Sequence, residues 1–171
     1  MRGYLLDTNI VAYWYNEGCP EHAKVIEHVS AVPKGAPLTI SVVTLGEIEF
    51  GHRAQSPSDT PVQVRCNQFI AEQFPRQLEI GKATTIYYGA WRARLFEKLA
   101  PREKRTKVTR PEQLVDPVTS RELGIQENDL WIAAQAMEYN LVLVTHDLAS
   151  MAPLRGVMDD ELRVDFEDWA V

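Results

Sequence analysis

The chain has 171 residues, 45% of them hydrophobic and 25% charged, with a net charge of −6. That is enough for one domain with a sizeable core, and it excludes a disordered chain. Two cysteines, Cys19 and Cys66, exclude a disulfide scaffold and a zinc set and fit a reducing, cytoplasmic compartment, while no apolar run approaches the ~18 residues of a membrane span.

Arg2-Gly3-Tyr4-Leu5-Leu6 reads as a strand buried on both faces, and Asn9 to Trp14 as the first turns of a helix. Asp7 therefore falls at the carboxyl end of a strand and the amino end of a helix, where open α/β sheets place ligands. On this stretch alone, Asp7-Thr8-Asn9 reads first as a helix cap. Pro20 opens a helix reaching Val32, residues 33–37 break it, and Leu38-Thr39-Ile40 is a short strand. Ser41 caps a helix through about Gln55, and another runs from Thr60 to Phe74. Gln77 to Ile80 is a candidate third strand and Lys82 to Leu99 a long helix. Residues 101–124 hold three prolines and no sustained period, so they read as a loop with at most short helical turns. Gln126 to Tyr139 is helical with Asn140 as its stop, Leu141 to Thr145 is the clearest strand, and a last strand lies near Arg163 to Phe166. Strands alternating with helices predict an α/β fold with a central parallel sheet and right-handed crossovers. With no repeat and no linker, residues 1–171 form one domain, with a basic, loop-rich insertion at about 100–124.

The chemistry is carried by acids. The fourth strand ends as the first does, with Asp147 just beyond Val144-Thr145-His146; if the two strands are neighbours, both aspartates hang over one crevice. Glu47 and Glu49 interrupt an apolar helix, and periodicity alone does not choose which faces the sheet. Asp129 stands in the first turn of its helix, where compensation of the helix dipole is the bland reading. Taken together, several carboxylates in one crevice repel each other and call for a counter-charge. Mg²⁺ or Mn²⁺, which take oxygen ligands and a few carboxylates, suit that need better than zinc. Between Arg92 and Arg110 the charge is +6, leaving −12 for everything else. That run is either a solvated face or a surface that tracks phosphates.

The ordered pieces "LLDTNIV", "SVVTLGEIEFG", "DLWIAAQA" and "LVLVTHD" resemble the PIN-domain family, specifically its VapC-type toxin ribonucleases. The resemblance spans residues 3–149, and the ending "VDFEDW" is also similar. It implies a single PIN-like domain in which strands one and four are neighbours. It selects Glu47 over Glu49, through Ser41, Thr44 and Gly51, and implies that Asp7, Glu47, Asp129 and Asp147 bind Mg²⁺ (or Mn²⁺) and catalyse. Asn9 and Thr145 are polar helpers in this reading. It further implies a metal-dependent endoribonuclease, a small antitoxin partner, a homodimer and no membrane. Arg102, Lys104 and Arg105 are expected to hold RNA. His146 stands where the family often has Asn or another small polar residue; it is expected to point to solvent, with an approach to the phosphate as the alternative. Two rivals remain. A haloacid-dehalogenase-like phosphatase needs a second Asp where this chain has Asn9, and a non-cleaving PIN-like domain that binds RNA or protein has no reason to keep four acids.

Overall fold

Leu5 and Leu6 are both fully buried, and their side chains point to opposite faces of the first strand. Leu5 belongs to one hydrophobic cluster and Leu6 to the other, and Leu143 and Val144 divide the same way. A strand buried on both faces is the signature of a parallel sheet covered by helices. The computed structural model describes residues 2–55, 60–100 and 110–171. Its strands are β1 (Tyr4–Leu6), β2 (Leu38–Ser41), β3 (Gln77–Leu78), β4 (Val142–Val144) and β5 (Asp165–Glu167). They form one all-parallel sheet in the order β3-β2-β1-β4-β5.

Helices α1 (Thr8–Tyr15), α2 (His22–Ala31) and α4 (Thr60–Gln73) supply Ile10, Val11, Val25, Cys66 and Ile70 to the Leu6 face. Helices α5 (Lys82–Leu99), α6 (Glu127–Glu138) and α7 (Leu148–Val157) cover the Leu5 face, with Trp91 and Leu95 fully buried. Each such Leu or Ile removed from water contributes roughly 1.5–3 kcal/mol before chain entropy is counted. Helix α3 (Val42–Gln55) follows β2 directly, its start held by Ser41 Oγ accepting from the Val43 amide at 2.9 Å. Strand order reverses between β1 and β4, which carry the register Leu6↔Val144. The loops after these two strands therefore face each other across a switch point, where a crevice opens.

The α/β reading and the adjacency of strands one and four hold. Asn140 stops α6 as expected: it adopts a φ of 50°, and its amide and that of Leu141 close on Met137 and Ala136, a Schellman ending. Helix α7 is absent from the sequence reading, because Pro153 lies inside it and hides the period. It forms nonetheless, since Met151, Leu154 and Val157 bury one face and the exposed Ala149 can give its freed carbonyl to water. In the described part of the 101–124 segment there is a single 3₁₀ turn, Pro111–Gln113, and a bridge between Val115 and Glu122. At Gly3 a side chain would collide with Pro37, whose carbonyl accepts from the Tyr4 amide.

Candidate active site

Asp7 is 7% exposed and uses its two oxygens differently. Oδ1 accepts from the Thr8 amide at 2.7 Å and caps α1, while Oδ2 accepts from the Thr145 hydroxyl at 2.7 Å and the Asn9 amide at 3.1 Å. Asn9 Nδ2 also reaches Thr145 Oγ1 at 3.2 Å, and Asn9 Oδ1 accepts from the His146 amide at 3.1 Å. The ends of β1 and β4 are thus sewn together by side chains from both. Capping and a place in the crevice are not alternatives here, because one carboxylate does both.

Asp147 repeats the arrangement on α7. Its Oδ1 accepts from the Ser150 amide at 3.1 Å, and its own amide donates to Thr145 Oγ1 at 3.1 Å. Asp129 Oδ2 accepts from the Gln126 amide at 2.8 Å at the start of α6. Three helix amino ends therefore bring an aspartate to the same edge, each with the positive end of its dipole behind it. Glu47 comes from α3, with Oε2 accepting from the Thr8 hydroxyl and Oε1 from the Asn128 amide at 2.8 Å. Glu49 turns away and pairs with Arg53 at 2.6 Å on the surface.

The electrostatics bind the four together. Asp129 is pushed up to about 7, chiefly by burial and then by the negative charge of Asp7, Glu47 and Asp147, against a lowering by the Gln126 amide. Asp7 is also raised, first by burial and then by Glu47 and Asp147, although Thr145 and the Thr8 amide oppose this. None of the four joins a salt bridge among the described residues. An open groove of about 640 Å³ leads away from Glu47 and Asn128 past Phe50, Ile80 and Trp131.

Among the described residues, no three acids, histidines or cysteines close into a ready-made metal cage. The donors are nonetheless all oxygen, and Mg²⁺ keeps several of its waters and needs only one or two carboxylates directly. Asp7 and Asp129, raised by burial and then by the neighbouring negative charge, with no cation paired to them among the described residues, fit such an ion. The basic run is narrower than its sequence suggests. Arg92 lies 3.4 Å from Glu127, and Arg94 pairs with Asp159. Arg102, Lys104 and Arg105 lie outside the described residues.

His146 is partly open to solvent, as expected, and is also held by neighbours. Its Nδ1 lies 3.0 and 3.1 Å from the two oxygens of Asp168, and Tyr13 meets its ring edge-on at 5.8 Å. Thr8, Asn128 and Asp168 are the site-edge residues that sequence reasoning missed. The first two sit beside Asp7 and Asp129 in sequence, which is a usable signal, whereas nothing local marks Asp168. Of the aromatics, Trp91 is core and Tyr88 stacks on Trp131 at 3.8 Å.

A PIN-domain family model matches residues 4–150. The chain is 28% identical over 146 residues to Ribonuclease VapC1 of Haemophilus influenzae strain R2866, covering 85% of this chain and 87% of that protein. Among solved structures, VapBC-1 from nontypeable Haemophilus influenzae has a TM-score of 0.67 at 22% identity, covering 98% of each chain. DNA-bound VapBC from Salmonella typhimurium has a TM-score of 0.66, also at 22% identity, covering 99% of each. At that identity the structural likeness establishes the fold.

Proposed function

The chain belongs to the PIN-domain family, and from that premise we propose that it is a metal-dependent endoribonuclease hydrolysing RNA phosphodiester bonds, the toxin of a type II toxin–antitoxin pair. The observation that carries this reading is the meeting of Asp7, Glu47, Asp129 and Asp147 at the switch point, where burial and then the neighbouring negative charge raise Asp7 and Asp129, and where none of the four is paired with a cation among the described residues. The similarity to Ribonuclease VapC1 supports the substrate, and the likeness to VapBC complexes supports a small antitoxin as partner.

Asp7, Asp129 and Asp147 would hold one or two Mg²⁺ ions, with Mn²⁺ as a substitute. Bound there, such an ion stabilises charge on the phosphodiester and makes water a better nucleophile at neutral pH. Glu47 completes the set and accepts the proton of the attacking water, its carboxylate plane fixed by Thr8 and Asn128. Thr145 and Asn9 hold Asp7 in one rotamer, so that its charge is delivered at a fixed place. Arg102, Lys104 and Arg105 steer and hold the RNA backbone. Reversing all three to Glu is expected to lower the salt slope of binding by roughly one unit for each phosphate no longer neutralised. We further propose a homodimer working in the cytoplasm; no described helix is long and apolar enough to cross a membrane.

The test is cleavage of a mixed RNA pool by the purified protein with Mg²⁺ and with EDTA. Cleavage that EDTA abolishes and Asp7→Asn removes supports the reading. A folded protein that retains RNA without cutting it in Mg²⁺ or Mn²⁺ is a binding domain instead.

A further inference from the structure

Hydrolysis by an activated water has no use for the ribose 2′-hydroxyl, so the acids alone do not explain a preference for RNA over DNA. A group that reads the sugar has to be supplied elsewhere. His146 is built for that task. It sits between Thr145 and Asp147, and its backbone amide donates to Asn9, whose side chain in turn bonds Asp7. Its ring is held by Asp168 on one side and by the edge of Tyr13 on another. Asp168 is itself fixed, with Oδ1 accepting from the Ala170 amide at 2.9 Å beside the buried Trp169. The His146 side chain is 37% exposed and that of Asp168 11%. A ring held in place by two neighbours, partly open to solvent and one residue from Asp147, is more than packing needs.

The chemistry of the pair sets what the ring offers. An ionised carboxylate only accepts hydrogen bonds, so Asp168 places the proton of the neutral imidazole on Nδ1. Nε2, which makes no hydrogen bond among the described residues, is then an acceptor. A phosphodiester has no proton to give it, whereas a 2′-hydroxyl has one at a fixed distance from every phosphate of an RNA chain. Resting on the nuclease reading, we propose that His146 Nε2 accepts a hydrogen bond from the ribose 2′-hydroxyl beside the cleaved phosphate, making His146 a sugar-selecting residue and Asp168 its positioning residue.

The experiment measures kcat/KM at pH 8 with Mg²⁺ on a single-site RNA oligonucleotide and on copies carrying one 2′-deoxy residue on either side of the cleaved phosphate. In the wild type, one of the two deoxy substitutions is expected to lower kcat/KM by about 3- to 10-fold, the size of one neutral hydrogen bond. In His146→Ala the RNA falls to that level and the same deoxy substitution costs nothing further. His146→Gln, whose carbonyl can accept, keeps part of the penalty. Asp168→Asn, which no longer dictates the tautomer, loses part of it, and both carry the test if His146→Ala does not fold. The inference is overturned if His146→Ala lowers RNA and deoxy substrates equally, which indicates a phosphate contact or a disturbed site. It is also overturned if the deoxy penalty persists in that variant, or if the wild type shows none. A wild type that cuts no RNA at all in Mg²⁺ or Mn²⁺ sinks the nuclease reading and this inference with it, whereas cutting with an unchanged penalty sinks only the inference.

Discussion

Asp165 and Asp129 are the same residue type at opposite ends of one sheet. Asp165 opens β5, accepts from Arg2 and lies 3.6 Å from Arg163; the Arg2 hydrogen bond first, opposed by burial and helped by the charges of Arg2 and Arg163, holds its carboxyl below the usual carboxylate range. Nearby, Arg94 and Asp159 make a further ion pair. Asp129, at the carboxyl end, joins no salt bridge among the described residues and is pushed up to about 7, by burial first and then, against its amide cap, by the charge of Asp7, Glu47 and Asp147. The amino end of the sheet is paired in the way that stabilises a fold. At the carboxyl end the chain gathers carboxylates that repel each other, the arrangement that the proposed cation would complete.

Breaking the acidic end at its most buried member gives the largest expected effect. Asp7→Asn keeps the shape and, through its carbonyl, the cap on the Thr8 amide, but loses the charge and the acceptor that Thr145 and Asn9 share. Cleavage of RNA should fall on the order of a thousandfold, about 4 kcal/mol, with the circular dichroism spectrum unchanged. Near-normal turnover by a folded, contaminant-free preparation removes Asp7 from the mechanism.

Stability against pH sharpens the contrast between the two ends. Asp129 has a raised folded pKa, so its contribution is fully present below its ordinary 3.8 and is lost as pH rises through about 7. Denaturant melts of the metal-free wild type should therefore show a loss on the order of a few kcal/mol across that window. Asp129→Asn should flatten it, and an equal loss in that variant would place the titration elsewhere. At Asp165 the sign is reversed: its pairing stabilises at neutral pH and that stability is lost as pH falls. The site is surface-exposed, so Asp165→Asn should cost less than ~1 kcal/mol at pH 7.

Metal binding should join the two observations. Mg²⁺ or Mn²⁺ at a hundredfold excess over its dissociation constant stabilises the folded state by about 2.7 kcal/mol, a melting-temperature rise on the order of several degrees. The rise should shrink in Asp129→Asn. The smallest expected effect is in Glu49→Gln, which loses only a surface pair with Arg53 worth about 0.3–0.5 kcal/mol. It should leave the metal response intact, and a response blunted there but not in Glu47→Gln would reverse the assignment on α3.

Much of this was legible because the signals are local. Leu5-Leu6-Asp7 and Val144-Thr145-His146-Asp147 each show a buried strand running into an acid, and α5 and α6 carry long uninterrupted helical stretches. Periodicity did not separate Glu47 from Glu49, because α3 has apolar neighbours on both sides of the helix; the motif resemblance did. What holds Glu47 comes from far along the chain, Thr8 and Asn128. The bond from His146 to Asp168 likewise links two loops that only the β4–β5 pairing brings together. Such tertiary hydrogen bonds leave no period to read. Helix α7 was hidden by Pro153, whose missing hydrogen bond the buried face of that helix outweighs.

The central claim is that the four acids form one electrostatic unit completed by a cation, and side-chain NMR of Asp129 tests it most directly. The ¹³Cγ resonance of Asp129 should titrate with a midpoint near 7 in metal-free protein, and saturating Mg²⁺ should move that midpoint down by more than a unit, because the cation favours the carboxylate. A midpoint at an ordinary aspartate value, unmoved by Mg²⁺, would contradict the account.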